Sequence, residues 1–260
     1  MCNLPPKSDI NFFRLLTTMN TQDTPENRQK IIRHLMIYSG QLSDQGLLHG
    51  KMGVVILMCR YSRITGNSLY EDFAGELLDT IYENLNTELP VDFERGLCGI
   101  GWGIEYLVQN QFTQGDTREI LKEVNQWIME RDLRRITDTS IEHGLGGILL
   151  YVQYHLYSCI SSDKELPFDG LYLSDLAHAA EEMLTLSDLN SLQKQIAQSY
   201  LDIYLRKKCD LIPLSTIFHF MTGEFLESQE IDYGKLGLRG GLAGALSRAL
   251  LSDEQDKYSE

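Results

Sequence analysis

A chain of 260 residues with 43% apolar content is long enough to bury a sizeable core, while a formal charge of −14 and a pI near 4.8 argue against a phosphate-backbone partner. The 23 basic residues form no cluster that stands out, so no nucleic-acid footprint is expected. No apolar run approaches the ~18 residues of a membrane span, the opening Met1-Cys-Asn-Leu-Pro-Pro-Lys-Ser-Asp has no apolar leader, and the five scattered cysteines contain no C-x-x-C, so a cytoplasmic protein without disulfides or a ribbon-type zinc site is expected.

Residues 1–25 read as a loose lead-in with a short apolar patch at Ile10–Leu16. From Pro25, the recurrence of Ile31, Ile32, Leu35, Met36 and Tyr38 predicts a helix that ends near Gly40. The line Gly46-Leu-Leu-His-Gly-Lys-Met-Gly53 then opens an almost uninterrupted apolar run to about Ser62, which its length and flanks assign to a buried helix. Ser68-Leu-Tyr-Glu71 has the form of a capping box, and Tyr70, Phe73, Leu77, Ile81 and Leu85 follow at helical spacing. The unit is thus an inner helix followed by an amphipathic outer one. A second unit repeats this order, with an inner helix over 96–110 and an outer helix opened by Asp116 that carries Ile120, Val124, Trp127 and Ile128. A third has its inner helix over 144–158 and its outer face at Leu173, Leu176, Ala177, Ala180 and Leu184. Leu189 to Tyr204 mark a further amphipathic helix, packing on its own domain or closing a gap against a second copy. Residues 207–236 lack clean periodicity and are expected to hold short helices. A last inner helix over 241–251 precedes a frayed polar tail, 252–260.

The heads of the inner helices share one grammar, x-Gly-x-x-Gly before an apolar run, at Gly50, Gly96, Gly144 and Gly241. These glycines are 46, 48 and 97 residues apart, and 97 is about twice 48, so one copy is missing from an even repeat. Glycine costs roughly 1 kcal/mol in a helix interior, and its use here implies that the first turn lies against neighbouring backbone. Units that each bury a face against the next form one array and one domain over 1–260. Free N–H groups and positive dipole ends are expected to gather at the glycine end, where a ligand would be sought.

The lines Gly46 to Gly53, Arg95-Gly-Leu-Cys-Gly-Ile-Gly-Trp-Gly103, Ile141-Glu-His-Gly-Leu-Gly-Gly-Ile-Leu-Leu150 and Leu238-Arg-Gly-Gly-Leu-Ala-Gly-Ala-Leu-Ser247 resemble the lanthionine synthetase C-like family, the lantibiotic cyclases, over about residues 30–251. The resemblance implies an all-α fold, an α/α toroid-like array of inner and outer helical hairpins, here abbreviated or incomplete. It also implies a site at the inner N-termini where zinc, held by two cysteines and a histidine, activates a peptide cysteine for addition to a dehydrated Ser or Thr. The family's Trp-Cys-x-Gly and Cys-His-Gly ligand lines do not occur in this chain. By order, the first three lines look like the family's first three repeats and the last like its final one, so the zinc-bearing repeats are the deleted part. The expectation is a non-catalytic or accessory member of a peptide-modification system, binding a peptide or partner protein at the glycine end; a zinc cyclase with relocated ligands or a glycan-processing α/α-barrel is the alternative.

Candidate residues follow from the repeat register. His49 and His143 share the slot before the first motif glycine, and Cys98 lies a few residues past it, so a Cys/His/His zinc shell is conceivable; capping histidines and core cysteine are the plainer reading. Glu94 and Glu142 share the preceding slot, with Asp44 upstream; facing carboxylates suit glycoside hydrolysis, with His143 and Glu142 as catalytic candidates, but acids near helix N-termini are also favoured by the dipole. Arg95 and Arg239 are placed to neutralise these acids or hold a peptide carboxylate. Trp102 either packs in the core or floors a pocket. The binding set is therefore His49, Arg95, Cys98, Trp102, His143 and Arg239.

Overall fold

The computed structural model describes residues 24–162, 164–206, 211–223 and 232–257, the side chains of 251–257 excepted. The lead-in patch Ile10–Leu16 lies outside them. Among the described residues there are eleven α-helices and no strand. The inner helices are α2 (Lys51–Thr65), α4 (Leu97–Gln109), α7 (Leu145–Ser161) and α11 (Leu242–Lys257). Around them lie α1 (Pro25–Tyr38), α3 (Leu69–Glu83), α5 (Thr117–Ile120), α6 (Lys122–Met129), α8 (Gly170–Leu184), α9 (Ser191–Arg206) and α10 (Leu214–Thr222).

The expected inner and outer hairpins are present. α2 pairs with α3, α4 with α5 and α6, and α7 with α8 and α9, while α11 takes α1 as its outer mate, so the first and last of the described helices meet. In the ring the inner helices follow the order α11, α2, α4, α7. α2, α4 and α7 are apolar over most of their surface because they are enclosed all round: Lys51–Ser62, Leu97–Leu107 and Leu145–Leu156 are buried without a break.

The missing repeat is replaced by α9 and α10. Ile196, Tyr200 and Ile203 of α9 are fully buried against α7 and α8, so this stripe packs on its own domain. α10 bridges the remaining space: Tyr154 of α7 donates to the carbonyl of Ile212 just ahead of it, and α10 packs on α11.

Some local expectations are corrected. Ser68 is itself helical, at φ −63° and ψ −19°, and its side chain caps nothing; Asn67 Oδ1 accepts from the Leu69 N–H instead. Asp116 does cap, but the outer helix it opens breaks at Leu121 into α5 and α6. The last helix continues past Leu251 as far as Lys257, so most of the polar tail is helical.

The glycine motif lets the first turn lie against backbone, as expected, and that backbone belongs to the loop just before it. In every copy the backbone N–H of the first helical residue bonds to the carbonyl seven residues earlier: Lys51 to Asp44, Leu97 to Pro90, Leu145 to Asp138 and Leu242 to Lys235, at 2.8–3.0 Å. This folds each loop tightly onto the head of its own helix. A β-carbon on Gly96 would stand 2.0 Å from the Pro90 oxygen, and one on Gly244 would stand 1.7 Å from the Leu238 oxygen. The neighbouring backbone is therefore the motif's own loop. The same bonds use up helix-start donors, through Gly99 in α4 and Gly244 in α11, so these N-termini are not open anion sites.

Candidate functional site: the motif ring and its cleft

The four motif loops are joined in a cycle. The slot two residues before the first motif glycine holds Leu48, Glu94, Glu142 and Arg239. The Arg239 N–H donates to the Leu48 carbonyl at 2.8 Å, the Leu48 N–H to Glu94 at 2.9 Å, and the Glu94 N–H to Glu142 at 3.0 Å. The fourth link cannot be of this kind, because a repeat is missing between α7 and α11. There the Arg239 guanidinium donates to the Glu142 carboxylate and to the Phe220 carbonyl, and stacks 4.5 Å from the Phe220 ring.

The Glu94 carboxylate is the hub of the side chains. His49 Nε2 lies 3.2 Å from Oε1 and His143 Nε2 lies 3.1 Å from Oε2, with Arg95 Nε 3.4 Å from Oε1 and 3.5 Å from Asp44 Oδ2. Glu94 is only 12% exposed, against 37% for His49 and 58% for His143. Repeat register accounts for this convergence: two histidines in one slot flank the acid of the unit between them. The acids Asp44, Glu94 and Glu142 thus each face a base rather than one another.

Cys98 and Trp102 do not join this group. Cys98 is fully buried and free, and burial, with Asp92 nearby, pushes its thiol well above the ordinary range, which opposes thiolate formation. Trp102 is core: its indole stacks on Tyr106 at 5.6 Å and meets Phe93, Tyr154 and Phe218 edge-on. Among the described residues no three His, Cys, Asp or Glu side chains are placed to hold a metal ion. The conceived Cys98/His49/His143 shell is therefore not assembled: the helical rise carries Cys98 into the core while the histidines stay on the loops.

Beside the ring, a cleft of about 540 Å³ opens between the second and third units. One wall is Pro90, Val91 and Asp92, the other is Glu130 to Ile136 after α6, and His143 and Ile148 close the third side. No family model matches the chain. No curated protein matches it either. Among solved structures it is similar to a nisin cyclase, at 17% identity and a TM-score of 0.40, over 88% of this chain and 73% of that one. Among the described residues, no helix is long and apolar enough to cross a membrane.

The wall over 130–136 escaped sequence reasoning because it follows an outer helix and carries no motif. The run Glu130-Arg-Asp-Leu-Arg-Arg135, with three arginines, was the available signal. A second group was also missed: Glu105, Gln109, Gln153 and His155 interrupt otherwise apolar inner helices.

Proposed function

We propose that this protein is a non-catalytic, accessory lanthionine synthetase C-like member of a peptide-modification system, and that it binds a peptide or partner protein at the glycine-motif end. The observation that carries this reading is the cleft: it lies at that end, is open, and pairs apolar positions (Val91, Ile136, Ile148) with charged ones of both signs (Asp92, Arg131, Arg135) and an exposed His143. Such a mixture suits an extended peptide, whose side chains are read by apolar contact and whose termini or charges are read by the arginines and acids. Catalysis through relocated zinc ligands lacks a donor set among the described residues, and the ring's carboxylates are engaged with Arg95, Arg239 and the two histidines.

A random-peptide phage library selected on the wild-type protein tests this. Enriched peptides are expected to lose binding to a folded Arg131→Glu/Ile136→Glu variant. Peptides that bind both proteins equally, or no enrichment, would reject the cleft as the binding place.

A further inference from the structure

A second cavity, of about 160 Å³, opens between α3 and the second unit and shares no lining residue with the cleft. Its walls are apolar: Leu78 and Ile81 of α3, Ile104, Leu107 and Val108 of α4, and Ile120 of α5 all line it. Ile81 and Leu107 are fully buried, whereas Tyr82 at the rim stands 63% exposed. The space suits one large apolar side chain entering from outside, not a second folded element.

One rim is acidic. Asp72, Glu76, Asp79 and Glu83 recur at i, i+4, i+7 and i+11 of α3, so they form a single exposed stripe, and Asp79 itself lines the cavity. Like charges at this spacing destabilise a helix, and Glu83 lies at the C-terminal end of α3, where the dipole favours a cation. No Lys, Arg or His occurs between Arg63 and Arg95, and among the described residues none of the four acids is in an ion pair. The opposite rim, Thr113 and Gln114, is uncharged. A stripe that costs the free chain stability is offset when a cationic surface covers it.

We propose that this groove docks a basic amphipathic helix of a partner protein. One apolar side chain of that helix fills the cavity beside Tyr82, and Lys or Arg residues at matching helical spacing lie along the acid stripe. A second copy packed about a twofold axis would instead set acid against acid. The net charge of −14 draws a cationic partner from a distance. Because the groove and the cleft share no residue, this docking does not depend on what the cleft binds.

The test uses a fluorescein-labelled amphipathic Leu/Lys helix, its lysines spaced i, i+4, i+7 and i+11, titrated with the full chain in about 0.15 M salt and read by anisotropy. Asp79→Asn/Glu83→Gln is expected to weaken binding about tenfold and Tyr82→Ala about threefold. Two variants are expected to bind as wild type: Glu181→Gln/Glu182→Gln, exposed acids of α8, and the cleft variant Arg131→Glu/Ile136→Glu. Hydrogen exchange at 78–85 and 104–108 should slow when the peptide is bound. No binding, or equal losses in the α3 and α8 variants, would overturn the groove, the second result meaning only general attraction to an acidic protein. Tighter binding to Phe12→Ser/Phe13→Ser would overturn the partner in favour of the chain's own lead-in as occupant. A wild-type dimer in sedimentation that Tyr82→Asp disperses would overturn it in favour of a second copy.

Discussion

Three links of the motif ring and the fourth do the same work by different chemistry. Where the units are neighbours in the ring, Arg239, Leu48, Glu94 and Glu142 are joined in turn through backbone N–H and carbonyl groups, which any side chain would permit. Where a repeat is missing, the ring is closed by the side chains of Arg239 and Glu142 with α10 between them. Backbone bonding repeats wherever the loop geometry repeats, whereas an interruption has to be spanned by residues long enough and charged enough to reach. The first kind of link depends on the motif glycines, the second on one arginine.

The sharpest break in this comparison is Gly96→Ala. With the new β-carbon 2.0 Å from the Pro90 oxygen, a loss of about 3–5 kcal/mol is expected by urea unfolding. Gly75→Ala, in α3 with nothing within 4 Å of its β-carbon, should instead gain about 0.5–1 kcal/mol. Similar losses at both sites would refute the loop-closure account of the motif.

Arg239→Ala attacks the side-chain link. Both partners are 28% exposed, so the loss should lie between those of buried and surface pairs, about 1–3 kcal/mol. Hydrogen exchange should quicken at 139–143 and 218–222 and stay slow at 46–50; uniform quickening would mean the four links are not separable.

The buried side chains of Glu105 on α4 and His155 on α7, 3.4 Å apart, set an acid limb of the same order or smaller. Burial pushes His155 below its ordinary 6.5 to about 3, so its contribution is present above 6.5 and lost as pH falls towards 3. Burial pushes Glu105 above its ordinary 4.5 to about 7, so its contribution is full below 4.5 and lost as pH rises to 7. Between 4.5 and 6.5 the two slopes oppose each other, and stability should be nearly flat there. Below that window His155→Gln should flatten the acid limb, read as the urea midpoint against pH, by up to roughly 1.4 kcal/mol per pH unit. An unchanged limb would place acid sensitivity elsewhere.

The smallest effects belong to the histidines flanking Glu94. His49→Ala and His143→Ala should each change stability by no more than about 1 kcal/mol, because both rings are partly in water. A larger loss at the more exposed His143 than at His49 would contradict that ordering.

Much of the architecture was legible from residues alone. Four glycine lines at even spacing announced the inner helices, and Asp116 caps the helix it was expected to open. The slot logic that paired His49 with His143, and Glu94 with Glu142, also placed these side chains at one end. It could not distinguish Cys98, two residues past the first motif glycine, from a site residue, because burial depends on how far the first helical turn has carried the chain into the core. Nor could it place Trp102, whose neighbours Tyr154 and Phe218 come from helices far along the chain.

By itself, then, the sequence determined the repeat, the helical class and the set of residues at the motif end, because helical periodicity and glycine placement are local and act within each unit. Only the tertiary structure decided how the interrupted ring closes, that the helix-start donors are already bonded, and that Glu105 meets His155. Each of these depends on atoms brought together across the ring by packing, at sequence separations that no local pattern encodes.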